Sequence, residues 1–218
     1  MKKFLGLLVM FMMISSNCLA MTFSQPVKLG EIGTPVQAPY HGFVVEGATK
    51  NDGAAYKENH EHKGKPLTTY TRGTACFDEL YCRYDFKDDS IRFGGENNFV
   101  LNMNGTYKKI FSIANDAGLK LYAIYYSYRL TDLKIFGTRK NGKWVVYIDS
   151  KKIDDKYFGG NNGGYIGNVR YDVPTCAGDT LIVTYRRLER TGISETEGEF
   201  RFKWDDEAQW FGVEQVVY

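Results

Sequence analysis

Apolar and polar positions alternate along much of this 218-residue chain. The clearest stretch is residues 199–204, where Phe200, Phe202 and Trp204 alternate with charged residues. A period of two places every second side chain on one face of an extended strand, so these aromatics are predicted to face a core. Other β-branched or aromatic runs, bounded by Gly, Asn or Asp, cover residues 98–103, 119–128, 143–148 and 179–185.

Turn signals separate these runs. Asn141-Gly142 lies between two predicted strands and is typical of a type I′ hairpin. Residues 107–114 are the nearest candidate for a helix, but the Asn and Gly at 115–118 and the strand that follows favour a hairpin. No segment sustains a period of 3.6 residues. We therefore predict an all-β fold, a single antiparallel β-sandwich or barrel-like domain over residues 21–218.

Residues 46–65 interrupt this pattern. They are polar, contain almost no large apolar side chain besides Tyr56, and include His60 and His62. Loops of this length are usually functional or disordered. We predict a flexible polar loop here.

An internal similarity recurs about 66 residues further along the chain, as a repeated structural unit would. The matching pairs are Asp88 with Asp154, Phe93 with Phe158, Phe136 with Phe202, and Trp144 with Trp210. Each of the last two pairs flanks a predicted hairpin turn. Two interpretations stay open: a domain built from repeated β units, or coincidence in a chain rich in Gly, Asn and aromatic residues.

Residues 1–20 have the pattern of a cleavable secretory signal. Lys2 and Lys3 precede an apolar run over residues 4–14, and the small residues Cys18 and Ala20 occupy the positions that signal peptidase recognises. The apolar run would span about 16 Å as a helix, too short to cross a hydrocarbon core. We predict cleavage after Ala20 and a secreted or periplasmic location.

Loss of this segment would change the net charge and leave three of the four cysteines: Cys76, Cys82 and Cys176. Without Lys2 and Lys3 the chain has 26 basic and 26 acidic side chains. A neutral protein without a basic run has no long-range field to attract nucleic acid, so nucleic acid is not an expected partner. The expected partner is an unknown extracellular or envelope ligand, a glycan or a protein, and no cofactor is expected.

Cys76 and Cys82 bracket a five-residue connection between two predicted strands. Export permits disulfides, and this spacing predicts a cross-strand bond that would contribute about 2 kcal/mol. Cys176 is left over. It is either a reactive thiol, an intermolecular partner, a small buried residue, or a member of a different disulfide pair with one of the other two cysteines.

Two metal sites are conceivable from the residue types. His60 and His62 would share a face of an extended strand and could bind a transition metal, with His41 as a distant third ligand. The alternative is two solvated imidazoles. Residues 88–98 and 154–164 offer carboxylate and amide oxygens that suit Ca²⁺, but without the spacing of a known calcium loop.

Glu195, Glu197 and Glu199 place three carboxylates at alternate positions. This arrangement is similar to the acidic motif of laminarinase-type β-jelly-roll glycosidases, in which two carboxylates act as nucleophile and general acid, and Glu195 and Glu197 are the candidates here. The resemblance covers five residues, with Glu as the central acid and Gly198 at an apolar position. The other interpretation is a hairpin in which Arg186 and its neighbours pair with these carboxylates.

Tyrosine is abundant, with 16 residues, and Tyr122, Tyr126 and Tyr128 lie on one face of a predicted strand. They would form a stacking platform for a sugar or peptide if exposed, or part of a core if not. Three function classes follow. A non-catalytic binding module is favoured, and a secreted hydrolase, which would need acids such as Glu195, Glu197 and Asp206 to converge at a cleft, is second. A structural or assembly subunit is third.

Overall fold

The computed structural model describes residues 21–35, 41–62, 64–94, 101–127, 131–159, 169–188 and 195–218. Within these ranges the chain forms strands and one short helix. In order they are β1 (Val27–Gly33), β2 (Val44–Glu46), β3 (Lys50–His62), β4 (Lys65–Phe77), β5 (Leu80–Asp85), β6 (Ser90–Gly94), β7 (Leu101–Asn104), β8 (Lys108–Ala114), β9 (Lys120–Ser127), β10 (Thr131–Thr138), β11 (Trp144–Asp149), α1 (Ser150–Tyr157), β12 (Val169–Tyr171), β13 (Thr175–Ala177), β14 (Thr180–Leu188), β15 (Glu195–Asp205) and β16 (Trp210–Val217).

The strands form three antiparallel sheets. The central sheet has the order β11-β10-β9-β8-β1-β2. The N-terminal sheet is the meander β3-β4-β5-β6-β7, and the C-terminal sheet has the order β12-β14-β15-β16, with β13 paired to β14. The predicted all-β, antiparallel, sandwich-like fold is confirmed.

The central sheet has a core on each face. The first core packs it against the C-terminal sheet and α1, and the second core packs it against the N-terminal sheet. The side chains of β9 show why both faces of the sheet are covered. Leu121 and Ala123 lie in the first core, while Tyr122 and Ile124 lie in the second. Successive side chains of a strand point to opposite faces, so a strand that is apolar on both faces belongs between two layers.

β15 carries the alternation that the sequence predicts. Phe200, Phe202 and Trp204 are buried in the first core, and Arg201 and Lys203 between them are exposed. Burial of each aromatic side chain contributes about 2 kcal/mol or more of hydrophobic free energy. This strand therefore anchors the C-terminal sheet to the central one.

The prediction of a loop over residues 46–65 is wrong for most of that range. Lys50–His62 forms β3, which pairs with β4 along its length with one bulge between Ala54 and Lys57. Pairing of backbone N–H and C=O groups does not require apolar side chains, so a polar strand can form wherever a neighbouring strand supplies the ladder. The polar composition of residues 50–62 therefore does not indicate whether they form a strand or a loop.

The internal similarity seen in the sequence does not describe a repeated unit. Asp88 and Asp89 lie in the turn between β5 and β6, whereas Asp154 and Asp155 lie in α1. The other half of the pattern lies on the β10–β11 and β15–β16 hairpins, each at the edge of its sheet, but their registers differ: Trp144 stands opposite Thr138, and Trp210 stands opposite Asp205. The similarity therefore marks two hairpins and not a duplicated domain.

Candidate functional site

Four hairpin turns meet at one end of the three sheets and line a half-open cavity of about 660 Å³, which we call the turn cavity. The turns are those between β4 and β5, β8 and β9, β10 and β11, and β15 and β16. The lining residues are Met21, Glu79, Ala117, Gly118, Leu119, Lys120, Thr138, Arg139, Lys140, Trp204, Asp206 and Gln209.

The β10–β11 turn projects Lys140 towards this cavity. Arg139 N–H donates to the Lys143 carbonyl at 2.9 Å, and Gly142 N–H donates back to the Arg139 carbonyl at 2.8 Å. Gly142 has a φ of +75°, while Asn141 does not adopt a positive φ. The hairpin predicted from Asn141-Gly142 is therefore present, but its loop is the three-residue kind with a left-handed glycine and not type I′.

The β15–β16 turn holds the opposite wall. The Asp205 side chain accepts hydrogen bonds at 2.9 Å from the backbone N–H groups of Glu207 and Ala208, which fixes the turn. Asp206 accepts from Lys140 Nζ at 3.2 Å and from Gln209 Nε2 at 2.9 Å. The Lys140 ammonium is the main reason that the pKa of the Asp206 carboxyl lies below its usual value.

A second lysine binds two acids on the far side of the cavity. Lys120 Nζ forms an ion pair with Asp78 and lies 3.3 Å from Glu79 Oε2. Both acids belong to the tight β4–β5 turn, where Asp78 has a φ of +59°. The two lysines of the cavity are therefore already matched by carboxylates.

Arg139 differs from these lysines. Its guanidinium lies 5.0 Å from the centre of the Trp210 ring, which is a cation–π distance. Its Nε is buried without a hydrogen-bond partner, and no carboxylate pairs with it among the residues that the structure describes. This leaves a cation at the cavity wall whose charge is not neutralised by a neighbouring acid.

The indole N–H of Trp204 is a second hydrogen-bond donor without a partner at the same wall of the cavity. The residue is 5% exposed, and its ring packs edge-on against Tyr147 and Phe211. Its indole N–H lies near enough to Asp206 to lower the pKa of that carboxyl slightly, yet it makes no hydrogen bond of acceptable distance and angle. Buried donors without partners are uncommon and call for an explanation such as a bound water or ligand.

The tyrosines predicted as a stacking platform do not form one. Tyr122 is buried in the second core, where its ring stacks on Trp144, and burial raises its pKa to about 12. Tyr126 is half-buried, with the Lys108 ammonium 4.2 Å from its ring centre. Tyr128 lies outside the described residues. Tyr122 is a core residue because β9 is covered on both faces.

The two candidate catalytic acids lie at the opposite end of β15 from the turn cavity. Glu197 is exposed and stands opposite Arg186, as the hairpin interpretation predicts, and Glu195 stands opposite Leu188. Eight residues of extended strand separate Glu197 from Asp205, or about 26 Å. Paired glycosidase carboxyls lie about 5–9.5 Å apart, so these acids do not converge with Asp206.

The predicted disulfide is not present in the structure, where Cys76, Cys82 and Cys176 are free thiols. The register of β4 and β5 explains why Cys76 and Cys82 are not bonded to each other. Ala75 stands opposite Cys82, and Cys76 stands opposite Tyr81. The side chains of Cys76 and Cys82 therefore point to opposite faces of the sheet and cannot bond without a backbone shift. Burial raises the pKa of Cys176 to about 11, which does not favour a reactive thiolate.

The two histidines proposed as metal ligands are described by their backbone alone. His60 and His62 lie on β3, in register with Leu67 and Lys65. Among the described residues, no three His, Cys, Asp or Glu side chains are grouped so that they could hold a metal ion. Parts of both segments proposed for calcium, residues 95–98 and 160–164, lie outside the described ranges.

Of the residues that line the turn cavity, Asp206 alone is a candidate predicted from the sequence, and it is grouped there with acids that lie elsewhere. One signal pointed to the cavity, because the internal similarity relates the two turns that carry Lys140 and Asp206. In the structure these turns face each other and the two side chains form an ion pair. The sequence pattern marked the elements but not their contact.

The signal-like segment of residues 1–20 lies outside the described ranges. Within them, no helix has both the length and the apolar character needed to cross a membrane. No family model matches the sequence, and neither a curated protein nor a solved structure matches the chain.

Proposed function

We propose that this chain is an exported, non-catalytic binding protein whose turn cavity holds a short acidic saccharide. The observation that carries the proposal is Arg139, a guanidinium at the cavity wall without a carboxylate partner among the described residues. A guanidinium binds a carboxylate through two parallel hydrogen bonds, which gives both affinity and orientation. A carboxylate on the ligand would pair with the terminal nitrogens of this guanidinium, since Nε itself is buried.

The remaining groups of the cavity favour a ligand rich in hydroxyls. Lys120 and Lys140 offer donors, while Glu79, Asp206 and Gln209 offer acceptors. Sugar hydroxyls both donate and accept, so they can bind to such a mixed wall without leaving a buried group unpaired. A volume of about 660 Å³ is also within the range of ordinary ligand pockets.

Binding without hydrolysis is supported by the state of the acids. A glycosidase needs a carboxyl with a raised pKa to protonate the leaving group. The pKa of Asp206 is lowered by Lys140, which is the opposite direction. Glu79 Oε2 lies 3.3 Å from the Lys120 ammonium in an ion pair.

Export is supported by the sequence of residues 1–20, in which two lysines, a short apolar run and the small residues Cys18 and Ala20 follow one another as in a cleavable signal. N-terminal sequencing of protein recovered outside the cytoplasm should give Met21 as the first residue, and retention of residues 1–20 would contradict export by cleavage.

Titration calorimetry tests the ligand directly. A series of uronic-acid oligosaccharides of two to four sugars should bind, whereas neutral oligosaccharides of the same length should bind at least about tenfold more weakly. Arg139→Gln should reduce affinity for the acidic series by about tenfold to a hundredfold, since a charge-assisted pair is lost. Lys143→Gln is the matched control, because Lys143 is exposed in the same turn but does not line the cavity.

A reducing-end assay on the same oligosaccharides separates binding from catalysis. The proposal expects no turnover. Hydrolysis by the wild-type chain, equal affinity for acidic and neutral sugars, or loss of binding in Lys143→Gln would each contradict it.

A further inference from the structure

The edge strands of this fold are unequally protected against pairing with another chain. An exposed edge presents unpaired N–H and C=O groups, and natural proteins usually shorten, bulge or charge such strands. β2, β7 and β12 have only three or four residues. The pairing of β3 is interrupted by a bulge, and so is that of β11 with β10.

β16 is neither shortened nor bulged, and it carries a single charge. It is an eight-residue edge strand that pairs with β15 without a register shift, and its sequence contains no Lys or Pro. Glu214 is its one charged residue. Four of the six exposed large hydrophobic side chains among the described residues lie on this strand or directly after it: Trp210, Val213, Val217 and Tyr218.

We propose that β16 pairs with β16 of a second copy of this chain, antiparallel and centred on Val213. Two centred registers pair seven residues of this strand each. One is centred on Glu214 and places this carboxylate opposite its own copy, which is destabilising. The other is centred on Val213 and places Glu214 opposite Gly212.

The register centred on Val213 also matches apolar with apolar side chains. Val213 stands opposite its own copy, and Trp210 stands opposite Val216. Residues that pair in an antiparallel ladder lie on the same face, so these contacts are made directly across the new strand pair. A surface that complements itself in this way gives a closed two-fold dimer and not an open fibre.

Sedimentation equilibrium of the purified chain tests this proposal. One eight-residue strand pair buries a small interface, so we expect a dimer with a dissociation constant of about 10–100 µM. Val213→Lys should keep the protein monomeric throughout that range, because a charge on the edge opposes pairing. Val27→Lys is the matched control, since Val27 is also an exposed valine but lies on β1.

A cysteine placed on the two-fold axis tests the register. Opposite residues of an antiparallel pair have Cα atoms about 4.5–5.5 Å apart, which a disulfide can span. Val213→Cys should therefore form a covalent dimer under mild oxidation, well above the background of the natural cysteines, and Val27→Cys should not. A monomeric wild-type chain at the highest concentration, or a dimer unaffected by Val213→Lys, would overturn the proposal, and equal cross-linking of both cysteine variants would overturn the register.

Discussion

Lys108 is 1% exposed on β8, two residues before Ile110 and hence on the second-core face of the central sheet. Burial lowers the pKa of its ammonium to about 8. The charge of Asp132 acts to raise this pKa, and the charge of Lys134 acts to lower it further. Below this pH the ammonium is charged in both the folded and the unfolded chain, and the folded chain carries the cost of burying it. Between about pH 8 and the usual lysine pKa, only the unfolded chain holds the proton, so stability rises with pH.

Lys108→Met should therefore stabilise the fold at pH 7 by about 2 kcal/mol. The gain should shrink as the pH is raised from about 8 towards 10, because the wild-type amine then becomes neutral when folded. Urea denaturation of both proteins at neutral and at alkaline pH measures this difference. Lys109→Met, at the exposed neighbouring position, is the control and should show no such pH dependence; a loss of stability in Lys108→Met at neutral pH would show that the ammonium is a net stabilising group.

Two turns of the cavity have the same loop length and the same backbone conformation at their last residue. In β8–β9 and β10–β11, a three-residue loop ends in a left-handed glycine, Gly118 with a φ of +83° and Gly142 with a φ of +75°. An added Cβ at either glycine meets no atom within 4 Å. Any cost of substitution there comes from the backbone and not from a clash.

Gly142→Ala should accordingly lower the free energy of unfolding by about 1 kcal/mol. Gly142→Asn should cost less, because asparagine tolerates the left-handed region. Thermal unfolding of the two variants measures the difference. Equal losses for Ala and Asn would mean that backbone strain is not the cause.

The elements that the sequence predicts are those whose signals are local. The alternation of Phe200, Phe202 and Trp204 predicts β15 because burial of one strand face follows from adjacent residues. The Asn and Gly residues of two turns predict their hairpins for the same reason. β3 escapes prediction because its strand state depends on pairing with β4 and not on its own side chains.

The turn cavity could not be predicted in this way. Its walls come from four turns that are distant in the sequence, and Arg139 alone resembles any basic residue beside a hairpin loop. Its distinguishing property is the lack of a carboxylate partner among the described residues, which only the fold reveals. The tyrosine platform fails for the converse reason, since the sequence shows Tyr122 but not the second layer that covers it.

At the scale of the whole molecule, one sheet serves two cores. Because β8, β9 and β10 contribute side chains to both, loss of either core should remove the support of the other. We predict a single cooperative unfolding transition. The indole N–H resonances of Trp144 in the second core and Trp204 in the first should disappear at the same urea concentration in one sample.

Ile91→Ala provides a stricter version of this test, since Ile91 is fully buried in the second core alone. It should cost about 2–5 kcal/mol. Both indole resonances should move to the same lower midpoint. Separate midpoints would mean that the two cores unfold independently.

The same resonances test the central claim, that the turn cavity is a binding site for an acidic saccharide. The chain has three tryptophans, of which Trp204 lines the cavity, Trp210 lies beneath Arg139, and Trp144 packs in the other core. In a ¹H–¹⁵N titration with a uronic-acid trisaccharide, the Trp204 indole resonance should shift saturably while Trp144 stays in place. No shift at Trp204 with saturating ligand, or an equal shift at Trp144, would contradict the account.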